Sequence, residues 1–482
     1  MALRDRLLYP FSRFLLLPLI TVLVLAGCRI EVVSPQKATV ITESGSFACP
    51  AGETCILDVN DASFDETFVA VPDEGFYFAG WRPAEGALCG GTTTPCRLQV
   101  GSFANNDKVM ALLNQDTTYP LLPRIVPARE FDFTGVDSAL QYFLSQGITD
   151  GFSVLILHRD FGVIFEKAYG NFELDRVVQL RSASKLASAT LMMALDNHSG
   201  VDFTVQSPIG GYLPFEGVYG DRSSEQLVSQ VSGIPGNAFW IYYEPHLCQY
   251  DAGHDFHECG QRIYQSELPG TQPAGTRYSY GGSQWQLAGL VATHASGKSW
   301  GKLFQQLIAG PCDMEVFRYG NLLSSSQAQP WDGNPEHLPG KDNPNIEGGA
   351  IANLRDYGKL IALHLNDGWC GNRQVLAPGG VEFMRIDRSM PAIPPENDLD
   401  GGYAMGAFIN NVAGPNTSPV YVTPGALGTI AWIDNFLDYG AVFMTEVGNF
   451  DDYPDVRDFT GAALIPQVRA AVEASLTLTP TD

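Results

Sequence analysis

The sequence predicts an α+β fold: an antiparallel sheet flanked by helices, with a helical subdomain and, ahead of it, a small β domain stapled by disulfides. Two apolar runs at 152–157 and 162–166 form a predicted hairpin, and 439–444 is a further predicted strand. Helical periodicity at 136–144 and at 456–476 predicts helices near both ends of this region. Helices therefore flank the strands at both ends of the domain.

The chain is long enough for more than one domain, since 482 residues exceed the usual size of a single hydrophobic core. We predict four segments: a targeting segment at 1–27, a small β domain at 28–113, a linker at 114–128 and a main domain at 129–482. A hydrophobic content of 45% with 17% charged residues describes a globular protein. The net charge of −24 argues against nucleic acid or an anionic lipid surface as a partner.

The first 28 residues have the pattern of a bacterial export signal. Three arginines within the first 13 residues precede an apolar run at 14–25, which is short for a membrane-spanning helix. The run ends in Leu25-Ala26-Gly27-Cys28, which resembles the lipobox of bacterial lipoproteins. The resemblance implies cleavage before Cys28 and a lipid on that cysteine, and Arg29, where an aspartate would imply inner-membrane retention, favours the outer membrane. An ordinary signal peptide with an unrelated cysteine is the alternative.

Eight further cysteines remain, an even number in a chain expected in an oxidising compartment. Their closeness in sequence suggests four disulfides: Cys49–Cys55, Cys89–Cys96, Cys248–Cys259 and Cys312–Cys370. A zinc site is the competing interpretation, but no histidine lies near the first four cysteines.

Residues 28–113 contain short apolar stretches separated by Gly, Pro, Asn and Asp, which is typical of a small β domain. Phe78-Ala79-Gly80-Trp81 resembles the Phe-x-Gly-Trp signature of small β repeat modules on bacterial surface proteins. In the plainer interpretation, Trp81 belongs to the core of a disulfide-stapled domain. Three prolines between 120 and 127 predict a stiff linker after this domain.

The candidate nucleophile is Ser182, which is followed three residues later by Lys185. Residues i and i+3 lie on one face of a helix, so the Lys185 amine can reach the Ser182 hydroxyl, as a base must reach a serine nucleophile. The positive end of the helix dipole also stabilises a developing oxyanion there. The same spacing occurs at Ser34–Lys37 and Ser299–Lys302, but the first lies close to the membrane anchor and the second begins a helix whose lysine is expected to face water.

The helix that follows Ser182 is predicted to run to about residue 197 and to be apolar nearly all round, so it is expected to be buried. A nucleophile mounted there would sit on a rigid central element. A second helix is predicted to begin after Asn353, an N-cap candidate with Asp356 three residues later. The last helical stretch is expected to be interrupted at Pro466.

Six short blocks occur in a fixed order along the main domain. They are the hairpin at 151–170, Arg181-Ser182-Ala183-Ser184-Lys185, the block 227–235, the block 273–280, Gly348-Gly349-Ala350-Ile351, and Thr423-Pro424-Gly425-Ala426-Leu427-Gly428. In this order the chain resembles, over about 131–472, the serine hydrolases of the class C β-lactamase and penicillin-binding-protein family. The resemblance implies a β-lactamase-like fold and hydrolysis through an acyl-enzyme on Ser182.

The resemblance also implies that the tyrosine of a Y-x-N motif, Tyr280 here, serves as general base and then acid beside Ser182 and Lys185. A phenol beside a lysinium ionises more readily, so it can exchange protons with the serine and the leaving group. Tyr278, on the same side of the strand, is the alternative, but the spacing of the block favours Tyr280. An oxyanion hole formed by the amides of Ser182 and Ala426 is implied as well.

Two positions depart from the family pattern. Gly282 replaces the asparagine of Y-x-N, and Thr423 replaces the first residue of the Lys/His-Thr/Ser-Gly triad that ends at Gly425. In the family these groups hold the amide and the carboxylate of the substrate. We therefore expect Gly282, Thr423 and Gly425 to form a substrate-binding edge that is poorly suited to β-lactams.

A group of metal-type ligands surrounds two of the cysteines: His246, Asp251, His254, Asp255, His257 and Glu258. A metal site is one interpretation. The irregular spacing favours the other, a solvated loop pinned by the Cys248–Cys259 disulfide. We expect neither a metal nor a cofactor.

The resulting expectation is a lipid-anchored serine hydrolase on the periplasmic side of the bacterial envelope. Its substrate would be a small ester or amide, with cell-wall compounds among the candidates, and the loops 240–268 and 321–345 would set specificity. One alternative is a true β-lactamase or D-amino-acid peptidase. The other is a catalytically silent cell-envelope binding protein in which the small β domain is the working part.

Overall fold

The computed structural model describes residues 28–59, 63–100, 117–196, 198–236, 246–322, 331–389, 401–411, 418–448 and 450–477. The predicted targeting segment at 1–27, the first residues of the predicted linker and parts of both predicted specificity loops lie outside these ranges. Within these ranges, no helix is long and apolar enough to cross a membrane.

The secondary structure alternates between strand-rich and helix-rich stretches. The strands are β1 Cys28–Val33, β2 Ala38–Thr42, β3 Ala48–Cys49, β4 Thr54–Val59, β5 Asp65–Pro72, β6 Phe76–Trp81, β7 Cys96–Gln99, β8 Thr118–Leu121, β9 Pro123–Pro127, β10 Gly151–His158, β11 Gly162–Gly170, β12 Val178–Gln179, β13 Arg318–Tyr319, β14 Ala350–Ala352, β15 Trp369–Cys370, β16 Arg373–Gln374, β17 Gly401–Tyr403, β18 Phe408–Asn410, β19 Val420–Pro424, β20 Ile430–Asp434 and β21 Tyr439–Met444. The α-helices are α1 Thr134–Ser145, α2 Ser184–Leu195, α3 Ser224–Val228, α4 Phe256–Gln265, α5 Gly282–Ser296, α6 Trp300–Phe304, α7 Leu354–Leu365, α8 Gly380–Arg385, α9 Tyr453–Phe459 and α10 Ile465–Thr477.

The predicted antiparallel sheet is confirmed and has seven strands in the order β11-β10-β21-β20-β19-β18-β17. All eight residues of β10 are buried, because helices cover both faces of the sheet. Phe152 and its alternate neighbours pack with α1 and α10, whereas Leu155 and Leu157 pack with α2 and α7. This two-sided burial explains why the β10 sequence is a continuous apolar run rather than an alternating pattern.

The predicted break at Pro466 is wrong by several residues. The interruption is a π-helical turn at Thr460–Leu464, between α9 and α10. Pro466 is the second residue of α10, in the first turn, where a proline is tolerated because its missing N–H is not needed by that helix. The predicted Asn353 cap is confirmed, since its side chain accepts a hydrogen bond from the Asp356 amide.

The N-terminal region is a small β structure of three sheets, in the orders β4-β1-β8, β3-β2-β5-β7 and β6-β9. Trp81 is only 2% exposed and donates its indole N–H to the Thr94 carbonyl, so it is a core residue. The predicted disulfides Cys49–Cys55 and Cys89–Cys96 are present here, and Cys248–Cys259 and Cys312–Cys370 are present in the rest of the chain.

The prediction that 114–128 is a linker is wrong for residues 118–127, which form β8 and β9. β8 pairs in parallel with β1, and β9 pairs with β6. Leu121 at the end of β8 is fully buried in the core of the small β structure. The prolines are compatible with this pairing because β8 and β9 are edge strands, where a missing N–H costs no ladder hydrogen bond.

The small β structure contacts one end of the seven-stranded sheet. Tyr77 packs against the ring of Phe161, at 5.8 Å between centroids, and Arg124 forms an ion pair with Asp160. Asp160 and Phe161 form the turn between β10 and β11, at the His158 end of β10. The last residue of β19, Pro424, is aligned through β20 and β21 with Val154, near the opposite end of β10.

Candidate active site

Ser182 lies in a 3₁₀ turn, Arg181–Ala183, that leads directly into α2. Arg181 has a left-handed backbone conformation with φ of 48°, which is uncommon for a residue with a side chain. The strand before it, β12, pairs with β14, and the Leu180 amide donates to the Ala350 carbonyl at 2.9 Å. All twelve residues of α2 are buried, as predicted for this helix. The serine therefore lies in a tightly held turn at the head of a central helix.

Hydroxyl groups from neighbouring elements fix the backbone of this turn. Tyr357 of α7 donates to the Ala183 carbonyl at 2.8 Å, and Tyr319 of β13 donates to the Ser184 carbonyl at 3.0 Å. The Ser184 hydroxyl in turn accepts the Ala350 amide at 3.1 Å. These bonds are enclosed in the core, where a broken one would leave an unsatisfied polar group.

Lys185 is 1% exposed, and its ammonium has three acceptors. The Nζ atom lies 3.0 Å from Ser182 Oγ, 3.0 Å from Glu347 Oε2 and 3.2 Å from the Glu347 carbonyl. Burial lowers the pKa of the Lys185 ammonium, but the Glu347 carboxylate and the Tyr280 phenol oppose it and leave the pKa raised overall. Lys185 is accordingly a cation at neutral pH that donates to the serine hydroxyl.

Tyr280 lies on the other side of the same ammonium. Its ring centroid is 4.6 Å from Lys185 Nζ, and the ring stacks on Phe408 at 5.7 Å. Gln230, in the block 227–235, holds the segment: its carbonyl accepts the Ser279 amide at 2.9 Å and its side-chain oxygen accepts the Gly281 amide at 3.0 Å. The block therefore positions the tyrosine.

Tyr278 has a different environment. It is 4% exposed and packs against Tyr403 at 5.4 Å and Val231, away from the ammonium that Tyr280 contacts. Burial raises the pKa of its phenol far above the ordinary range. The structure thus brings Tyr280, rather than Tyr278, against Lys185.

The predicted oxyanion residues lie on adjacent segments. Just after β19, a Cβ on Gly425 would collide with the Leu180 carbonyl, so only glycine lets this segment pass so close to the serine turn. The Gly425 amide donates to the Thr429 carbonyl at 2.7 Å, which forms a tight turn that contains Ala426. Ala426 is the next residue after this close approach.

The predicted substrate-binding edge is only partly open. Thr423 is 2% exposed on β19, so its hydroxyl is not a surface group. Gly282 is the buried first residue of α5, and a Cβ there would overlap the Glu347 carboxylate and lie 2.6 Å from Gln249 Oε1. Glu347 already occupies the space that a larger side chain at 282 would need.

Glu347 is the site residue that the sequence reasoning missed. Besides Lys185, it contacts Tyr250, whose hydroxyl donates to Glu347 Oε1 at 2.8 Å. Glu347 directly precedes the block Gly348-Gly349-Ala350-Ile351, which is one of the six blocks that carry the family resemblance. The sequence did contain a signal for this residue, because an acidic side chain stands beside that block and a polar side chain is missing at position 282.

The metal-type side chains around Cys248 and Cys259 have structural roles where the structure shows their contacts. His246 is 2% exposed and bonded to the Ser283 hydroxyl at 2.8 Å, whereas Asp255 caps α4 by accepting two of its amides. Across the described ranges, His, Cys, Asp and Glu side chains nowhere form a group of three that could hold a metal ion.

The other two Ser-x-x-Lys copies lie apart from this site: the Ser34 hydroxyl donates to the Ala38 carbonyl, and Ser299 is exposed at the start of α6.

A family model described as Beta-lactamase matches residues 136–463, which include Ser182, Lys185, Tyr280 and Glu347. The chain belongs to the beta-lactamase family. Members of this family are generally serine hydrolases that act on small ester or amide substrates. No curated protein sequence gives a significant match.

Solved structures share the fold of the beta-lactamase region. A candidate beta-lactamase from Bacteroides dorei DSM 17855 is 25% identical with a TM-score of 0.57, and the match covers 71% of this chain and 99% of that one. EstCE1, a hydrolase with promiscuous acyltransferase activity, is 16% identical with a TM-score of 0.54, over 70% and 97% of the two chains. Simvastatin synthase from Aspergillus terreus is 16% identical with a TM-score of 0.52, over 70% and 95%. The last two likenesses show the fold alone.

Proposed function

We propose that this chain is a serine hydrolase that works through an acyl-enzyme on Ser182, with small acyl esters as its preferred substrates. The observation that carries the proposal is the distance of 3.0 Å between Ser182 Oγ and a buried lysine Nζ, with Tyr280 against the same lysine. A serine hydroxyl, a fixed cation and a phenol in mutual contact form a nucleophile with its proton-transfer groups. The hydrolase unit is residues 129–482.

In the acylation step, Ser182 Oγ attacks the substrate carbonyl carbon while its proton passes to the ionised phenol of Tyr280. Lys185 remains an ammonium, which stabilises the phenolate and the developing alkoxide. The amides of Ser182 and Ala426 hold the oxyanion. When the carbon–oxygen bond to the leaving group breaks, Tyr280 returns the proton to the departing alkoxide, and the alcohol leaves.

Deacylation follows the same route in reverse. Tyr280 takes a proton from a water molecule, the hydroxide attacks the acyl carbon, and Ser182 Oγ leaves and recovers the proton from Tyr280. Esters are preferred over amides because an alkoxide leaves more readily than an amide nitrogen, which needs a well-placed acid. The site also has no cation at position 423 to hold a substrate carboxylate.

A serine-directed fluorophosphonate probe tests the proposal. We expect the purified protein to be labelled and to hydrolyse nitrophenyl butyrate, and Ser182→Ala to abolish both. Ser299→Ala is the matched control, since this serine heads another Ser-x-x-Lys sequence but is exposed, and it should label as the wild type does. Labelling that persists in Ser182→Ala would reject Ser182 as the nucleophile, and a wild type that neither labels nor hydrolyses would favour the silent binding protein.

We also propose that the chain is a lipoprotein on the periplasmic side of the envelope, in the outer membrane, with Cys28 as the lipid attachment site. The arginines, the short apolar run and Leu25-Ala26-Gly27-Cys28 support this. Cys28 is the first residue of β1 and is 7% exposed, and burial raises the pKa of its thiol. Attachment of a lipid therefore requires that this first residue leave the core of the small β structure.

Metabolic palmitate labelling tests the anchor. We expect labelling of the wild type, its loss in Cys28→Ser, and fractionation of the labelled protein with outer membranes. Cys49→Ser, which removes a disulfide cysteine of the same β structure, should keep the label. Label in Cys28→Ser would place the lipid elsewhere.

A further inference from the structure

Glu347 forms an almost fully enclosed ion pair with Lys185. The lysine side chain is 1% exposed and the glutamate side chain 13%, with Nζ and Oε2 3.0 Å apart. Tyr250 satisfies the other carboxylate oxygen at 2.8 Å, and the Glu347 carbonyl accepts from the same ammonium. A buried charge is stable only when it is paired and hydrogen-bonded, and both conditions are met here.

Backbone pairing brings Glu347 to this place. β12 and β14 are antiparallel, with Gln179 opposite Ile351 and the Leu180 amide bonded to Ala350. The residues just before β14 therefore run beside the serine turn: a Cβ on Gly348 would lie 3.5 Å from the Arg181 carbonyl carbon, and Glu347 is the next residue back along the chain. A side chain that starts here points at Lys185 without any movement of the main chain.

Glu347 and a side chain at position 282 exclude each other. A Cβ on Gly282 would overlap the carboxylate oxygen and carbon of Glu347. Both positions lie at the same ammonium, one at the head of α5 and one before β14. The glycine at 282 is therefore the steric condition for a carboxylate at 347.

We propose that Glu347 is a positioning residue of this active site: it takes the place of a polar side chain at 282, holds Lys185 as an ammonium directed at Ser182, and sets the pH at which the site becomes active. The inference rests on the proposed function of Ser182. It deepens that function, because it assigns to a carboxylate the task of fixing the lysine.

The charges around the pair determine the direction of the pH effect. Lys185 on α2 and Tyr250 before α4 contact the Glu347 carboxylate, and Tyr403 on β17 interacts with it electrostatically. Tyr280, before α5, contacts Lys185, and Tyr278 and Tyr453 interact electrostatically with Tyr280. The negative charge at Glu347 contributes to raising the pKa of Lys185 and of Tyr403. A carboxylate at the centre of this cluster makes the loss of a proton from it less favourable, so the charge on Glu347 moves the ascending limb of the rate profile to higher pH.

A pH profile of kcat/KM for nitrophenyl butyrate tests this effect. We expect Glu347→Gln to shift the ascending limb towards acid by about one pH unit or more, with little change in KM. Glu347→Asp keeps the charge, so its ascending limb should lie at the same pH as that of the wild type, even if its maximal kcat/KM is lower. Glu336→Gln, at an exposed glutamate paired with Arg318, is the matched control and should change nothing. A Glu347→Gln limb that coincides with the wild-type limb would overturn the proposal.

Substitutions at positions 282 and 347, alone and combined, test whether the two side chains compete for the same space beside Lys185. Gly282→Asn alone should lower kcat/KM, because the new side chain displaces the carboxylate. The same change in a Glu347→Ala background should instead raise kcat/KM by about tenfold over Glu347→Ala, because the amide can then accept from Lys185. Gly282→Asn that is equally harmful in both backgrounds would show that the two positions do not exchange.

The outcomes separate this inference from the proposed function. If Ser182→Ala retains hydrolysis, the function fails whatever Glu347 does. If Ser182 is essential while neither the pH limb nor the exchange responds as described, the function stands and the role of Glu347 fails. Thermal unfolding of each variant identifies any that do not fold, and Glu347→Asp, which keeps the buried pair charged, provides a folded comparison.

Discussion

The two sides of the active site differ in how completely their polar groups are satisfied. On the nucleophile side, the Lys185 ammonium is enclosed by three oxygen acceptors and the rings of Tyr280 and Trp285. On the recognition side, Thr423 and Gly282 present no cation and no amide. The proposed function therefore combines a nucleophile whose lysine is fully bonded with a recognition side that lacks the side chains the family uses to hold a charged substrate.

The largest effect expected from this comparison lies on the nucleophile side. Lys185→Ala and Tyr280→Phe should each lower kcat/KM for an acyl ester at least about a hundredfold, the usual scale for losing a positioned proton-transfer group. Tyr278→Phe should be mild, because that phenol packs against Tyr403 rather than against Lys185. If Tyr278→Phe lowered kcat/KM strongly while Tyr280→Phe had little effect, the assignment of Tyr280 as the proton-transfer group would be wrong.

Much of the nucleophile side could be predicted from the sequence because its signals are local. The spacing of Ser182 and Lys185 and the apolar helix after them are both read within one stretch of chain. Glu347 could not be placed in this way, since it reaches Lys185 only through the pairing of β12 with β14. Spacing along the chain carries no information about a strand partner that lies about 170 residues away in the printed sequence.

The same distinction explains the errors elsewhere. The prolines at 120–127 predict a linker by composition, but Leu121 fills the core of the small β structure and the flanking residues pair as edge strands. At position 282 the sequence shows only that a polar side chain is missing, whereas in the structure Glu347, which is remote in sequence, fills the adjacent space. In both cases a tertiary neighbour overrides a local pattern.

An intermediate effect is expected on the recognition side. Each lost hydrogen bond to a charged group costs typically about 1.5 to 3 kcal/mol, or about one to two decades in rate. We therefore expect measurable turnover of nitrophenyl butyrate and weak turnover of penicillins and cephalosporins, with any β-lactam acting at most as a slow acylating inhibitor. A kcat/KM for a chromogenic cephalosporin above that for the ester would contradict the view that this side is impoverished.

The smallest effect concerns the stability of the helix that carries the nucleophile. His364 of α7 is 2% exposed and lies 2.9 Å from the Thr190 hydroxyl of α2, so it joins the two helices. Burial, with a contribution from the Arg385 charge, lowers the pKa of His364 to about 3. The imidazole is therefore neutral in the folded protein over a pH range in which the unfolded chain, with an ordinary histidine pKa of about 6.5, binds a proton.

The sign of the stability change follows from this difference in proton binding. Between about pH 6.5 and about pH 3 the unfolded state holds one more proton, so His364 makes unfolding easier by about 1.4 kcal/mol for each unit that the pH falls. His364→Gln keeps a polar contact with Thr190 but cannot titrate. From pH 6.5 to pH 5 its Tm should fall by about 2–4 °C less than that of the wild type. His198→Gln, at an exposed histidine, serves as the control and should follow the wild type. If His364→Gln shows the wild-type slope, the acid sensitivity arises outside the contact that joins α2 to α7.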